Sequence, residues 1–220
     1  MGWRDWLSVD RKKSAPSPEE VLSSNEPLEA GPPSLALMFL AVVEGHMKGL
    51  SNVAERTGRA LTEEQWAALF RQLCLFYDAV WRQRFPQRIV QTGRVAPEDI
   101  PAYVEQFRQA SMHALGKADY LPMPYRDWTI NATSEALQAD FDLYNRESIQ
   151  SQDRDDFQKI LSITQLPESY LLPRLYLRTC QIVGLFERRD PMLFYAWWDS
   201  VAIYGNGVVD ILDRIVPLPE

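Results

Sequence analysis

The sequence is poor in the residues that metal and thiol chemistry require. Its 220 residues include two cysteines, Cys74 and Cys180, and two histidines. Both cysteines lie inside apolar helical patterns and lack zinc-site spacing, so we interpret them as small core residues of a protein from a reducing compartment. No ExxH or HExxH motif is present that would bring carboxylate and imidazole ligands together on helices. The sequence therefore predicts no metal and no cofactor.

Common nucleotide and hydrolase motifs are also missing. The chain contains no GxxxxGK[ST], no GxGxxG and no GxSxG pattern, and no cysteine is paired with a nearby histidine. These absences argue against a nucleotide enzyme or a hydrolase with a familiar nucleophile. An enzyme whose acids and bases meet only in the folded chain stays open. No repeat recurs at 30 to 50 residues, which argues against the common helical solenoids.

Long apolar runs and strongly basic stretches are lacking as well. The longest apolar run, Leu35 to Val43, is about half the length that spans a bilayer, and the N-terminus has no apolar secretion signal. The formal net charge of −7 argues against a general nucleic-acid binder, which needs a basic face. We therefore expect a cytoplasmic, soluble protein, and the composition suggests a bacterial one. The content of 46% hydrophobic residues is enough for a sizeable core.

Apolar residues recur mainly at the three- and four-residue spacing of helices, which predicts an all-α fold. We expect a single globular bundle of seven or eight helices around a central antiparallel C-terminal hairpin, with a flexible N-terminal tail. The first helix is expected from Ser34 to Thr57, with Gly58 as its stop. A capping box at Thr62–Gln65 opens the second helix. That helix is predicted to end before Pro86, residues 87–96 to form a loop or two short strands, and a third helix to end at Gly116.

The segment from Leu172 to Tyr204 is the predicted centre of the bundle. It consists of two apolar helices joined by a turn at residues 187–190, and the second helix is apolar nearly all round, which is typical of a buried helix. Within it, Asp199 is predicted to pair with Arg174 or Arg178, because a lone buried carboxylate is unfavourable. Residues 205–207, Gly-Asn-Gly, are expected to break the second helix before a short final one.

Charged side chains of the first two helices are expected in water. Glu44 and Lys48 have the spacing of an i, i+4 ion pair on a helix surface. Arg71, Asp78 and Arg82 are placed on the outer side of the second helix, opposite its apolar face.

The first 33 residues differ from the rest of the chain. They are rich in Pro, Ser and Glu, which predicts a flexible tail at 1–33 ahead of a helical domain at 34–220. Trp3, Trp6 and Leu7 would share one face of a helix, and the basic residues 11–13 follow them. We predict that these three apolar residues dock on a partner protein. The alternatives are a tail that folds back or has no role, and one that touches an anionic membrane surface.

A candidate ligand site combines aromatic and polar residues from several elements. The aromatic and proline-rich connection at 118–134 supplies Tyr125 and Trp128, and connections of this kind carry function more often than helices do. The competing interpretation gives these residues structural roles. The connection would be an ordered lid, His46 a core histidine, and Asp199 part of a structural ion pair. The full set predicted for the site is His46, Tyr125, Trp128, Arg174, Arg178, Trp197 and Asp199.

Three functions follow from these patterns. The first is a protein-binding module without catalysis, such as an adaptor, an accessory subunit or an inhibitor. It rests on the missing catalytic motifs, the acidic balance, and the aromatic residues in a tail and a loop. The second is an enzyme or small-ligand binder that uses the inter-helix site just described. The third is a peripheral membrane protein that is anchored through Trp3, Trp6 and the basic residues after them.

Overall fold

A computed structural model describes residues 28–116, 171–187 and 191–217, together with single positions at 139, 142, 154, 155, 158 and 162. The predicted all-α class is confirmed for this part of the chain, which holds five α-helices and one minimal strand pair. The elements in chain order are β1 (Leu28–Ala30), α1 (Pro32–Arg56), α2 (Glu63–Thr92), α3 (Ile100–Gly116), α4 (Leu171–Ile182), α5 (Pro191–Arg214) and β2 (Ile215–Pro217). Short 3-10 turns at Pro97–Asp99 and Leu185–Glu187 precede α3 and follow α4.

Helix α1 begins two residues before the predicted Ser34. Gly31 is its N-cap, without a side-chain hydrogen bond, and Pro32 and Pro33 occupy the first turn. Proline suits this position because the first backbone N–H groups have no partner inside the helix. At the other end Gly58 adopts a φ of +64°, so the predicted stop at this glycine is confirmed.

Helix α2 begins at the predicted capping box but runs past its predicted end. The Gln65 backbone N–H donates to Thr62 Oγ1 at 3.2 Å, and the Thr62 N–H donates to Gln65 Oε1 at 3.0 Å. The helix then continues through Pro86 to Thr92, so the expected stop before Pro86 is wrong and the expected loop is present only at residues 93–96. Phe85 and Ile89 are fully buried on either side of the proline. Their burial offsets the roughly 3 kcal/mol that a proline costs inside a helix.

Helix α2 lies at the centre of the described fold. Nine consecutive residues, from Leu73 to Trp81, are buried, so this stretch is covered on every side. Among the described helices, α2 packs against all four others, and α4 has its most extensive helix contact with α2. Helices α4 and α5 also contact each other, but the helix that the others surround is α2.

Aromatic side chains join α1, α2 and α3. Trp81 and Phe107 stack with ring centroids 4.4 Å apart and planes 13° from parallel. Phe39 meets the edge of Tyr77 at 6.5 Å, and Phe85 lies 6.1 Å from Tyr103. Such pairs add about 0.5–1.5 kcal/mol each beyond the area that they bury.

The predicted burial pattern of α4 is largely confirmed, whereas the predicted break in α5 is wrong. Leu175, Tyr176 and Thr179 are fully buried, while Arg174 and Arg178 are half-buried. Helix α5 runs without interruption from Pro191 to Arg214 and includes residues 205–207. Glycine weakens a helix by about 1 kcal/mol per residue relative to alanine. That is not enough to end a helix anchored by buried residues such as Trp197 and Val201.

Three side-chain hydrogen bonds hold the end of α4. Arg59 donates to the carbonyl oxygens of Val183 and Gly184, and Gln65 donates to that of Ile182 at 2.8 Å. These bonds satisfy carbonyl groups that the end of α4 leaves unpaired.

Strand β1 pairs in parallel with β2, with Leu28 opposite Ile215. The chain before Leu28 therefore enters the fold beside the C-terminal end of α5.

Candidate functional site

Helix α5 carries a row of exposed residues that we name the outer face of α5: Met192, Tyr195, Asp199 and Ile203. The exposed fraction is 75% for Met192, 50% for Tyr195 and 68% for Ile203, and Asp199 is exposed beside them. At 100° per residue these four positions fall within about 80° of one another around the helix. The row from Met192 to Ile203 is about 16 Å long. It is an apolar stripe with a single carboxylate.

The opposite face of α5 lies in the core. Trp197 and Val201 are fully buried, and Ser200 is 6% exposed. The Tyr176 ring on α4 meets Trp198 edge-on, with ring centroids 5.1 Å apart. The expectation that α5 is buried nearly all round is therefore wrong, because none of the described elements covers the large apolar side chains on one side of it.

Exposed apolar side chains elsewhere in the described ranges stand alone. Leu37 on α1 is 51% exposed and Val90 on α2 is 61% exposed. Single exposed apolar residues are normal on any protein, whereas a contiguous apolar patch marks an interaction surface. Of the helices that the structure describes, α5 alone groups three of them on one face.

A second unusual feature is a buried carboxylate on α1. Glu44 is 6% exposed, and neither carboxylate oxygen has a hydrogen-bond partner among the residues that the structure describes. Burial raises its pKa from 4.5 to about 7, because a low-dielectric environment disfavours the charged form. Lys48 is exposed. The predicted Glu44–Lys48 surface pair is wrong, since Glu44 points into the fold.

Helix α2 also carries buried polar side chains, Cys74 and Asp78. Burial raises the pKa of the Cys74 thiol, and the charges of Asp78 and Glu44 act in the same direction. Asp78 is 8% exposed and forms an ion pair with Arg82, which also pairs with Asp142. The expectation that Asp78 and Arg82 face water is wrong, because Asp78 is buried and Arg82 is half-buried.

The predicted site residue His46 is fully buried in the core. Its Nδ1 atom lies 2.6 Å from the hydroxyl oxygen of Tyr77, and the two rings are 5.9 Å apart. Burial lowers the pKa of His46 to about 3, so the imidazole is neutral at physiological pH. This geometry is that of a core histidine held by a hydrogen bond.

The other predicted ligand residues lie in different environments. Trp197 is fully buried, Arg174 and Arg178 are half-buried on α4, and Asp199 is exposed. Arg178 Nη1 donates to Gln181 Oε1 at 3.1 Å. Asp199 is not buried among tryptophans, so the reason for predicting its ion pair with Arg174 or Arg178 does not apply. The remaining predicted residues, Tyr125, Trp128, Trp3, Trp6 and Leu7, lie outside the described residues.

Sequence reasoning missed the outer face of α5 and the buried Glu44 and Asp78. A signal for the two acids was present. Glu44 lies four residues after Leu40 and three before Met47, and Asp78 lies four after Cys74 and three before Trp81. Both acids therefore occupy positions within an apolar helical stripe. Treating them as surface residues assumed one buried face per helix, whereas α1 and α2 are covered on several sides.

Comparisons with known proteins give no information about the function of this site. No protein-family model matches the sequence, no curated protein is significantly similar to it, and no solved structure matches it. Within the described ranges, no three His, Cys, Asp or Glu side chains come together as metal ligands would. Judged by length and apolar character together, none of the described helices qualifies as a bilayer-spanning segment.

Proposed function

We propose that this chain is a protein-binding module that acts through the outer face of α5 rather than through catalysis. The observation that carries the proposal is the exposure of Met192, Tyr195 and Ile203 in one row on a helix whose other side anchors the core. Tyrosine and methionine are enriched at protein interfaces, where a large apolar surface is needed at modest entropic cost. An apolar stripe of this length suits an amphipathic helix of a partner.

The chemistry of the stripe also indicates what its partner carries. Asp199 is the one charged residue of the row and is exposed. A partner segment with apolar residues at helical spacing and a basic residue beside them would complement it in both shape and charge. Adaptors, accessory subunits and inhibitors all use such surfaces.

The proposal includes the finer architecture expected from the sequence. Helices in the chain between α3 and α4 would complete a bundle of seven or eight, with α4 and α5 as an antiparallel hairpin and residues 1–33 as a tail. The contact between α4 and α5 supports the hairpin. In this arrangement Trp3, Trp6 and Leu7 form a second element able to dock on a protein.

A pair of matched double variants tests the proposed surface. Tyr195→Lys with Ile203→Lys places two cations on the outer face of α5, while Leu37→Lys with Val90→Lys adds the same charge at two isolated exposed positions. Proteins that co-purify with the wild type and the control, but not with the α5 variant, are candidates for the partner. The affinity of each purified candidate is then measured by calorimetry. We expect the α5 variant to bind at least about thirtyfold more weakly, as for loss of an interface hot spot.

The control variant distinguishes loss of a specific interface from a general effect of added surface charge. If both double variants lose binding equally, general surface charge explains the loss and the outer face of α5 is not the interface. An unchanged affinity of the α5 variant would contradict the proposal outright. Circular dichroism of each variant verifies that the helical fold is intact.

A small-ligand binder is the second candidate, supported by two buried polar groups. Among the described residues, the Glu44 carboxylate and the Trp197 indole N–H have no hydrogen-bond partner, although both are buried. A buried polar atom without a partner is unfavourable by roughly 1–3 kcal/mol, and a polar ligand would relieve this. The ligand set with His46, Arg174, Arg178 and Asp199 stays a prediction, and so does membrane contact through Trp3 and Trp6. A thermal-shift screen of small amines and amides tests the ligand site, and liposome sedimentation tests membrane contact.

A further inference from the structure

We infer that the N-terminal segment of this chain docks on the outer face of α5 and covers it when no partner is bound. The segment is residues 1–13, with Trp3, Trp6 and Leu7 as its apolar anchors and the basic residues 11–13 after them. Only the consequence, that docking competes with a partner, rests on the proposed function. The docking itself rests on where the chain enters the fold, how far it reaches, and the chemistry of the two surfaces.

The point of entry places the segment beside α5. Strand β1 pairs with β2, and β2 follows directly after the last residue of α5, Arg214. Neighbouring strands are about 4.8 Å apart, so Leu28 lies next to Ile215 at the C-terminal end of α5. Every residue before Leu28 is therefore tethered at one end of the helix that carries the exposed row.

The reach of the tether matches the position of the row. Trp3 precedes Leu28 by 25 residues, and a stretch of that length can reach up to about 80 Å when fully extended. Counting back from Ile215 at 1.5 Å per residue, Ile203 lies about 18 Å and Met192 about 35 Å along α5. Both distances lie within that reach, and a covalent link makes docking an intramolecular event, which favours even a weak contact.

The two surfaces are complementary. Trp3, Trp6 and Leu7 have the i, i+3, i+4 spacing that places apolar side chains on one face of a helix. The outer face of α5 presents exposed Tyr195 and Ile203 with the Asp199 carboxylate among them. The basic residues 11–13 supply the opposite charge. Docking would bury three apolar anchors on an apolar row and place cations near its one anion.

Photo-crosslinking of the full-length chain tests the inference without any partner. Tyr195→benzoylphenylalanine places a photoreactive ring on the outer face of α5, and Val90→benzoylphenylalanine places one at an isolated exposed position on α2. After irradiation at low protein concentration, crosslinked peptides are identified by mass spectrometry. Mixing 15N-labelled with unlabelled chain distinguishes crosslinks within one molecule from crosslinks between two.

We expect an intramolecular crosslink from position 195 to residues 1–13 and little from position 90. Replacing the three anchors, Trp3→Ala, Trp6→Ala and Leu7→Ala, should lower the yield about tenfold or more, because each removes apolar surface from the contact. A crosslink from 195 only to residues 117–170, one only between two molecules, or a yield no higher than from position 90 would overturn the inference. Partner binding is measured separately, so an intramolecular crosslink in a chain that captures no partner would reject the proposed function alone.

Discussion

Helices α2 and α5 both contribute to the core, but they are buried in different ways. Helix α2 is covered on every side over nine consecutive residues, including the charged Asp78. Helix α5 has the lower proportion of charged residues in its sequence, and yet the described elements leave its Met192, Tyr195 and Ile203 exposed. Burial therefore follows the position of a helix among its neighbours and not its apolar content alone. Polarity and burial do not match in two places: the acids of α1 and α2 are buried, and the apolar row of α5 is exposed.

The buried side of α5 should be the most sensitive position in this comparison. Trp197→Ala removes a fully buried indole and leaves a cavity, so we expect the free energy of unfolding to fall by about 3–5 kcal/mol. Urea unfolding monitored by circular dichroism measures it. Met192→Ala, three-quarters exposed on the same helix, is the control and should change stability by less than about 0.5 kcal/mol. Equal losses for both variants would show that the two faces of α5 are not distinct.

A buried acid should respond to pH where an exposed one does not. The pKa of Glu44 is raised from 4.5 to about 7 in the fold. The folded state therefore holds this proton more tightly than the unfolded state, and wild-type stability decreases as pH rises from about 4.5 to about 7. Glu44→Gln keeps the side chain neutral, so we expect the variant to be more stable than wild type by up to about 3 kcal/mol at pH 8 and similar to it near pH 4.5.

The control for this experiment is Glu55→Gln, an exposed acid on the same helix. It should show no comparable gain at pH 8. If Glu44→Gln is no more stable than wild type at pH 8, the carboxylate is solvated or paired, and the description of α1 as covered on several sides would need revision.

A smaller effect is expected at the core histidine. Tyr77→Phe removes the hydroxyl that lies 2.6 Å from His46 Nδ1 inside the core, and losing a buried hydrogen bond reduces stability by about 1–2 kcal/mol. Tyr195→Phe removes a hydroxyl from a half-exposed ring and should change stability little. Chemical unfolding of both variants provides the comparison. A Tyr77→Phe variant as stable as wild type would indicate that the contact is incidental.

The smallest effect on stability should come from the outer face of α5. Tyr195→Lys with Ile203→Lys replaces exposed side chains, so we expect a change within about 0.5 kcal/mol. This is the same double variant that should lose partner binding. A large loss of stability, measured by urea unfolding, would mean that this face is covered by the protein's own core.

Sequence periodicity predicted the helices that begin at clear signals. The capping box of α2, the glycine stop of α1 and the buried stripe of α4 are all local patterns, and each is present. The misses at Pro86 and at residues 205–207 have one physical reason. Helix-breaking residues lower the stability of a helix by a few kcal/mol at most. Tertiary contacts of buried side chains compensate for this loss: Phe85 and Ile89 in α2, and Trp197 and Val201 in α5.

The candidate surface could not be predicted because it depends on which neighbours a helix has. The sequence of α5 shows apolar residues on all sides, and only tertiary packing decides that Trp197 is covered and Tyr195 is not. The same holds for Glu44, since an acid is ordinarily a surface residue. The helical class and most helix starts could be predicted from sequence patterns. Which residues are buried depends on how α1, α2, α4 and α5 pack against one another, which only the structure shows.

Side-chain labelling can distinguish the buried face of α5 from its outer face and show whether residues 1–13 cover the outer one. Oxidative footprinting with mass spectrometry reports the labelling rates of Tyr195 and Trp197 in the wild-type chain and in the variant with Trp3→Ala, Trp6→Ala and Leu7→Ala. We expect Trp197 to be protected in both chains and Tyr195 to be labelled several-fold faster in the variant, where its cover is lost. Trp197 labelled as readily as Tyr195, or Tyr195 labelled equally in both chains, would contradict it.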